Sequence, residues 1–288
     1  TEKRVLWLAV KSVSIATAVV PIVMRVAQLK LTLNNLLIIL WNFPFASAIM
    51  VQTDFSFRSC DMIKTVLFDL DDTILDFKTS ERIALSKTLV KLNIEPTEEI
   101  IEKYSKYNIS QWKRLELGEI NREEVKVNRY KLLFDDIGVD ASPKKATEIY
   151  EENLAHGHYF VDGAKQMLNS IYNDYDLYLV SNGAKRVQEG RLATADIPHC
   201  FKGIFISEVV GFEKPNVKFF ENVFSQIENF DREQTVIIGD SLSSDIKGGK
   251  GAKIKTVWFN PNGLECDDIV PDYQISSLDE IKPLLATL

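Results

Sequence analysis

The sequence predicts an α/β protein with a Rossmann-like parallel sheet core, an inserted helical domain, and an apolar N-terminal extension outside the core. Short apolar, β-branched runs alternate with amphipathic helical segments over residues 160–288. Repeated strand–helix units of this kind form parallel sheets with helices on both faces. Another strand-like run, at residues 65–68, is separated from them by residues 77–159, which contain no convincing strand.

Charged, amphipathic segments fill residues 77–159, and the sequence predicts a small helical bundle there. Four helix starts are indicated by N-cap residues or by proline in the first turn. They are Ser80, Thr97, Asn121 and Ser142-Pro143. The predicted core therefore comprises residues 62–76 and 160–288, interrupted by this bundle.

Strands and helices alternate regularly in the second part of the predicted core. The predicted strands after the first are Asp176–Val180, Gly203–Ser207, Gln234–Ile238 and Thr256–Phe259. The predicted helices between them are Ala164–Ile171, Lys185–Thr194 and Asn216–Ile227. Polar residues follow several of these strands, and ligands of open α/β sheets bind beyond the carboxyl ends of the strands.

Composition is typical of a soluble globular protein, with 288 residues, 45% apolar and 26% charged. The formal net charge of −7 gives no support for nucleic-acid binding. Three cysteines, Cys60, Cys200 and Cys266, are far apart and fit no zinc-binding spacing. They indicate free thiols in a reducing compartment, and we expect a cytoplasmic protein.

Residues 1–61 differ from the rest of the chain, because they are mostly apolar and carry six Lys/Arg and only three Asp/Glu. Three interpretations remain open. Residues 5–24 and 36–51 could form two membrane segments, or the segment could be a targeting sequence with a cleavage-like site at Ala46-Ser47-Ala48. Alternatively, the domain begins at Met62 and the preceding residues are upstream sequence. Membrane contact is expected only through residues 1–61.

Three carboxylates follow the first predicted strand, in the stretch Val66-Leu67-Phe68-Asp69-Leu70-Asp71-Asp72-Thr73. Asp69 and Asp71 are two residues apart, so on an extended strand their side chains share one face. Neighbouring acids repel each other unless a cation neutralises them. Oxygen ligands suit Mg²⁺, so the motif predicts a magnesium site, although an acidic surface turn is the alternative.

Three further polar groups follow predicted strands or precede predicted helices. Ser181-Asn182-Gly183 could hold a phosphate oxygen at a helix start, Lys214 could neutralise a phosphoryl group, and Asp240 with Asp245 could complete a metal site. Each has an ordinary alternative when taken alone: an N-cap, a solvated lysine, and one capping plus one surface acid.

Taken together, these four motifs resemble those of the haloacid dehalogenase-like superfamily over residues 62–288. The helical insert resembles the superfamily's first type of cap domain, and we call residues 77–159 the cap. The resemblance implies that Asp69 is the nucleophile and Asp71 the general acid and base. It implies that Ser181 and Lys214 bind the phosphoryl group. It also implies Mg²⁺ held by Asp69, the Asp71 carbonyl and Asp240, with Asp245 close behind.

The acid at Asp71 favours a phosphatase or phosphomutase, because dehalogenases of the superfamily lack it. A narrower resemblance lies in Ile206–Pro215, Gly239–Gly249 and Trp258–Pro261, which are similar to bacterial pyrimidine 5′-nucleotidases. Two departures are Ser181, where threonine is commoner, and Lys253, where glycine is expected. The resemblance implies a small phosphorylated metabolite, a pyrimidine nucleoside monophosphate, as the substrate. The sequence does not give the oligomeric state, for which we favour a monomer.

Substrate choice is expected to lie in the cap, where aromatic side chains could stack on a base and basic ones could meet polar groups. The candidates are Trp112, Tyr104 and Tyr130, with Lys113, Arg114 and Arg129. The alternative is that they are core and surface residues of the bundle. Rival functions are a sugar-phosphate phosphatase or phosphomutase with the same core, and a membrane-anchored scaffold without catalysis.

Overall fold

A six-stranded parallel sheet forms the core of the computed structural model, which describes residues 62–266 and 268–288. The strands are β1 (Thr65–Phe68), β2 (Asp176–Ser181), β3 (Gly203–Ile206), β4 (Thr235–Gly239), β5 (Lys255–Phe259) and β6 (Tyr273–Ile275). They lie in the order β3-β2-β1-β4-β5-β6, and every neighbouring pair is parallel. The predicted α/β fold with a parallel sheet is therefore confirmed.

Strand β1 lies inside the sheet between β2 and β4. Phe68, its last residue, is in register with Leu179 of β2 and Ile238 of β4. The residues that follow these three strands therefore emerge side by side at one edge of the sheet. This register brings the motifs predicted from the sequence close to one another.

Both faces of β1 are buried, which accounts for its unbroken apolar sequence. Val66 and Phe68 pack into one core cluster with Leu177 and Leu179, whereas Leu67 packs on the opposite face. Alternate side chains of a strand point to opposite faces. The sheet thus lies between two hydrophobic layers, and this packing fixes the carboxyl ends of the strands.

Four helices between β1 and β2 form the cap. They are α1 (Phe77–Lys91), α2 (Glu98–Glu116), α3 (Arg122–Ile137) and α4 (Pro143–Leu154). Their buried faces share a core that includes Tyr104, Tyr130 and Tyr150. These helices follow from N-caps and amphipathic patterns in the sequence.

Three of the four predicted cap-helix starts are confirmed. Thr97, Asn121 and Ser142 each accept a backbone N–H as the N-cap residue. The prediction of Ser80 was wrong, because Asp76 caps α1 by accepting from the amide of Thr79 at 2.8 Å. Ser80 lies inside the helix, buried, with its hydroxyl donating to the carbonyl of Asp76.

The remaining helices cover the sheet. The α-helices are α5 (Ala164–Ile171), α6 (Lys185–Ala195), α7 (Ser207–Val210), α8 (Val217–Phe224), α9 (Lys247–Gly251) and α10 (Ile281–Leu285). Short helices of other types lie at Pro198–Cys200, Leu242–Ile246 and Leu278–Glu280. Two predicted elements end earlier than expected: the helix predicted to Ile227 stops at Phe224, and Ser207 begins a helix instead of ending β3. Strand β6 was missed because it is short and largely exposed.

Lys253, the departure noted from the sequence, has φ of 59°. This left-handed conformation favours glycine, so the position explains why glycine would be expected there. The apolar extension predicted for residues 1–61 lies outside the described residues. Within residues 62–266 and 268–288, no helix is both long and apolar enough to cross a membrane.

Candidate active site

The carboxylate of Asp69 lies directly beyond β1. Its amide donates to the carbonyl of Ile238 at 3.0 Å, which continues the β1–β4 pairing by one residue. The chain then turns at Asp72, which has φ of 55° and donates its amide to the carbonyl of Leu75 at 2.8 Å. Asp69 and Asp71 both line one cavity, although they lie beyond the end of β1 and not on an extended strand.

Lys214 is buried at the centre of the site, with 1% of its side chain exposed. Its ammonium donates to Oδ1 of Asp69 at 2.6 Å, Oδ1 of Asp245 at 2.7 Å and the carbonyl of Val180 at 2.8 Å. Burial lowers the pKa of Lys214, but the carboxylates of Asp245 and Asp69 outweigh burial and raise it. Lys214 is therefore a fixed positive charge, because three acceptors hold all three of its protons.

Three carboxylates converge beside this ammonium. Oxygens of Asp69, Asp240 and Asp245 all lie within 4.8 Å of one another. Burial raises the pKa of Asp69 to about 8, with repulsion from Asp245 and Asp71 adding to the effect and Lys214 opposing it. Burial and the neighbouring Asp69 also raise the pKa of Asp240. One lysine therefore does not neutralise the cluster.

The donor set fits Mg²⁺, which prefers carboxylate oxygens. Both oxygens of Asp245 are already engaged, Oδ1 by Lys214 and Oδ2 by the amide of Ser241 at 3.1 Å. Among the described residues, no donor bonds to Oδ2 of Asp69 or to either carboxylate oxygen of Asp240. Asp240 would thus hold the ion together with Oδ1 of Asp69, which keeps a lone pair beside its bond to Lys214, and Asp245 lies behind them.

Gly239, the last residue of β4, leaves room for Asp245. A Cβ atom at this position would lie 2.3 Å from Oδ2 of Asp245. The short approach explains why the strand that carries Asp240 ends in glycine. It allows the Asp245 carboxylate to reach both Lys214 and the amide of Ser241.

Ser181, Asn182 and Gly183 follow β2 and have different surroundings. Asn182 holds the backbone of Lys214 from both sides, accepting from its amide at 2.8 Å and donating to its carbonyl at 2.9 Å. The Ser181 hydroxyl is buried and accepts from Gly183 N at 3.1 Å. Asn182 and Gly183 line the cavity, but Ser181 is not among the lining residues.

Two residues of α6 that the sequence analysis did not single out hold Asp71. Gln188 donates from Nε2 to Oδ2 of Asp71 at 2.7 Å and to the hydroxyl of Ser181 at 2.8 Å. Arg191, fully buried, pairs with Oδ1 of Asp71 through Nη1. Their spacing of three places both on one helix face, and polar residues on the buried face of an amphipathic helix were the available signal.

A cavity of about 250 Å³ extends from these groups to the cap. Among the predicted specificity residues, Trp112 and Arg129 line it. Tyr104 and Tyr130 are instead buried in the cap core. Lys113 and Arg114 are exposed outside it. The cavity therefore agrees with two of the six candidates, and Tyr150 lines it as well.

Arg122, at the start of α3, connects the cap to the core. Nη1 donates to the carbonyl of Asn182 at 2.9 Å, and Nη2 donates to the hydroxyl of Ser207 at 2.6 Å. Nη2 also pairs with Glu213 at 3.2 Å. From the sequence, Arg122 was predicted only to lie at the start of a helix. Its neighbours in the sequence do not indicate partners that are distant in the chain.

Comparisons with known proteins identify the family of the chain. The family model for haloacid dehalogenase-like hydrolases matches residues 66–259. The HAD-hydrolase YfnB of Bacillus subtilis is 38% identical over 223 residues, covering 77% of this chain and 95% of YfnB. Its crystal structure, bound to magnesium, superposes with a TM-score of 0.75 and covers 78% of this chain and 99% of that one.

Two further relatives have named substrates. Pyrimidine 5′-nucleotidase PynA of Streptococcus pneumoniae is 37% identical, covering 76% of this chain and 93% of PynA. Pyrimidine 5′-nucleotidase YjjG of Escherichia coli is 29% identical, covering 76% of this chain and 96% of YjjG. The family match, together with the cluster around Lys214, shows that the chain belongs to the haloacid dehalogenase-like hydrolases and is a phosphatase of that superfamily.

Proposed function

We propose that this protein is a Mg²⁺-dependent 5′-nucleotidase that removes the phosphate of pyrimidine nucleoside monophosphates through an aspartyl phosphate. The observation that carries the proposal is the state of Asp69. One of its oxygens is bound by Lys214, whereas the other accepts no hydrogen bond from the described residues beside the cavity. A carboxylate oriented in this way has one oxygen available for attack on phosphorus.

In the first step, Oδ2 of Asp69 forms a bond to phosphorus as the bond from phosphorus to the ester oxygen breaks. Asp71 gives its proton to that leaving oxygen, and the nucleoside departs as an alcohol. The positive charge of Lys214, next to Asp69, would stabilise the charge on the phosphoryl oxygens. Gln188 and Arg191 keep the Asp71 carboxyl group directed into the cavity.

In the second step, a water molecule attacks the same phosphorus, and Asp71 takes its proton. The bond from phosphorus to Asp69 breaks, which releases inorganic phosphate and restores both aspartates. Mg²⁺, when bound to Asp69 and Asp240, supplies positive charge that keeps the buried carboxylates ionised and offsets charge on the phosphoryl group.

The substrate part of the proposal is supported by the cap end of the cavity and by the relatives. Trp112, Phe77 and Tyr150 give this part of the wall aromatic surface, which suits a flat base. PynA and YjjG are both named pyrimidine 5′-nucleotidases. A sugar-phosphate phosphatase would use the same catalytic groups, so only substrates can separate the two functions.

The proposed chemistry is tested with Asp69→Asn and Asp71→Asn. We expect the first variant to lose Mg²⁺-dependent phosphate release, because an amide cannot form the aspartyl phosphate. The second should lose about 10²–10⁴-fold in kcat, because proton transfer is lost. Asp174→Asn, an exposed acid paired with Lys282, is the control. Wild-type turnover by Asp69→Asn would refute the mechanism.

The proposed substrate is tested by comparing kcat/KM over nucleoside monophosphates and sugar phosphates. We expect UMP, CMP and dTMP to be hydrolysed faster than AMP, GMP and hexose phosphates. A preference for a hexose phosphate would refute the nucleotidase while leaving the phosphatase mechanism intact. The absence of turnover on every ester, with Mg²⁺ bound, would favour a non-catalytic scaffold.

A further inference from the structure

Arg129, on α3, is a buried cation in the wall of the substrate cavity. Only 4% of the residue is exposed, yet it lines the cavity that also contains Asp69 and Asp71. Within the described part of the chain, no carboxylate lies within ion-pair distance of its guanidinium. A buried charge without a direct partner is costly, so its position in a cavity wall requires an explanation.

The orientation of this guanidinium is fixed by neighbouring groups of the cap. Nε donates to the carbonyl of Lys126 at 3.3 Å, and Nη1 donates to Oδ1 of Asn108 at 3.0 Å. Asn108 in turn donates to Glu81 at 2.6 Å. The negative charge of Glu81 therefore reaches Arg129 only through an intervening amide.

Nη2 is the remaining guanidinium nitrogen, and no acceptor in residues 62–266 or 268–288 bonds to it. Three tyrosine rings surround the guanidinium, and the ring centroid of Tyr150 lies 4.8 Å from its central carbon. The Tyr150 hydroxyl is buried and likewise has no hydrogen-bond partner in the described structure. Arg129 therefore has a donor without an acceptor in the described structure, beside the ring of Tyr150 in the cavity wall.

The ligand group that accepts from Arg129 Nη2 is expected to be neutral, not a second anion in addition to the phosphate. Glu116 and Glu151 line the same cavity, and they would repel a carboxylate or a second phosphate. The other two cations that line it are already bound, because Lys126 is paired with Glu151 at 3.4 Å and with Glu208, and Lys214 has all three protons held. Arg129 is consequently the cation with a free donor, next to aromatic surface.

Building on the proposed nucleotidase function, we propose that Arg129 Nη2 donates a hydrogen bond to the C2 carbonyl of the pyrimidine base. Uracil, thymine and cytosine all carry this acceptor, whereas adenine has no carbonyl group. At C4, cytosine presents an amino group, which cannot accept from a guanidinium. One fixed donor therefore recognises every pyrimidine, whereas adenine offers it no carbonyl oxygen and only ring nitrogens at other positions.

The test removes each partner in turn. The substrates are UMP and 4-pyridone riboside 5′-monophosphate, which keeps the C4 carbonyl but lacks both the C2 carbonyl and N3–H. N3-methyl-UMP, which keeps both carbonyls and loses only N3–H, shows the effect of N3–H alone. For wild-type enzyme with Mg²⁺, we expect kcat/KM to be roughly ten- to a hundredfold higher for UMP, as for a lost hydrogen bond to a charged group. For Arg129→Lys, which keeps the charge but loses the planar fork, this ratio should fall close to one.

The controls separate recognition from folding and from the proposed function. Arg82→Gln removes an exposed arginine of the same cap and should keep the wild-type ratio. The comparison of the two substrates on wild-type enzyme needs no variant, so it stands even where Arg129→Lys unfolds. Equal kcat/KM for UMP and the pyridone ester on wild-type enzyme would overturn the proposal.

Two further outcomes would also overturn the proposal for Arg129, and they can be distinguished from each other. Arg129→Lys that retains the wild-type preference for UMP over the pyridone ester would show that another group reads the base, with the nucleotidase function intact. Wild-type enzyme that hydrolyses ribose 5-phosphate or a hexose phosphate better than every nucleotide would refute the nucleotidase function itself. Loss of the UMP preference in Arg129→Lys alone, with Arg82→Gln unaffected, supports the proposal.

Discussion

Arg191 and Asp71 form an ion pair in which the arginine is fully buried and the aspartate faces the cavity. Arg191 is held from behind by the carbonyl of Gly157, to which its Nε donates at 3.0 Å. It also bonds Gln188, which holds the other oxygen of Asp71. The carboxyl group proposed to carry the proton is therefore fixed at both oxygens by one helix.

Gln188→Leu should weaken proton transfer without removing the nucleophile. Because a hydrogen bond to a charged group contributes about 1.5–3 kcal/mol, we expect a loss of roughly ten- to a hundredfold in kcat for a nucleotide. p-Nitrophenyl phosphate, whose leaving group needs little protonation, should lose less. Gln226→Leu changes an exposed glutamine of the hydrolase core and is the control. An equal loss of kcat on both esters in Gln188→Leu would contradict the role of Gln188 in proton transfer.

Magnesium should stabilise the protein more at pH 8 than at pH 5. Burial raises the pKa of Asp69 from 3.8 to about 8, so between these values the folded state holds a proton that the unfolded state has released. The free energy of unfolding of metal-free protein therefore falls as pH rises through this window. Binding of Mg²⁺ needs the ionised carboxylate, and the ion offsets the loss.

Thermal unfolding with Mg²⁺ and with EDTA at both pH values measures this effect. The increase in Tm on adding Mg²⁺ should be larger at pH 8. In Asp69→Asn, which cannot ionise, the difference between the two pH values should shrink. Equal Mg²⁺-induced increases at pH 5 and pH 8 in the wild-type protein would contradict the expected coupling.

Gly239→Ala should destabilise the protein and reduce its activity together. The added Cβ would lie 2.3 Å from Asp245 Oδ2, so Asp245 must shift away from Lys214 and Ser241. Overpacking of this kind costs about 1–3 kcal/mol. Gly251→Ala is the matched control, because its Cβ would meet nothing closer than 3.5 Å. Urea unfolding and kcat/KM of both variants test the expectation, and a neutral Gly239→Ala would contradict it.

Arg122→Ala should loosen the contact between the cap and the core. The variant loses hydrogen bonds to the Asn182 carbonyl and the Ser207 hydroxyl, and its ion pair with Glu213. We expect KM for nucleotides to rise several-fold and backbone amides near Asn182 to exchange faster with deuterium. Arg114→Ala, an exposed arginine of the cap paired with Glu119, should leave both unchanged. Unaltered exchange in Arg122→Ala would show that other contacts hold the cap.

Much of the fold could be predicted because local patterns and tertiary packing agree. The strand at Val66–Phe68 is apolar because both its faces are buried, and Thr97 and Asn121 cap helices within their own segments. Asp76 was overlooked as a cap because it lies beside the acidic motif. An N-cap aspartate at this position could not be distinguished in the sequence from the acidic motif that precedes it.

The candidate site was predicted only where residues follow strands in fixed positions. Asp69, Lys214, Asp240 and Asp245 come together as expected, because parallel strands end at one edge. Arg191 and Arg122 could not be found in this way, since their partners lie 120 and 91 residues away in the chain. Their function depends on how helices dock, which the sequence of each helix does not specify.

The hydrogen bonds of Lys214 connect the order of folding with the appearance of activity. Its three acceptors come from Asp69 after β1, Val180 in β2 and Asp245 after β4. Until the last of these has docked, the ammonium and the acids around it lack their full set of partners and remain hydrated. A chain emerging from the ribosome would therefore stay catalytically silent until residue 245 is in place, and phosphate release would report that β1, β2 and β4 have assembled.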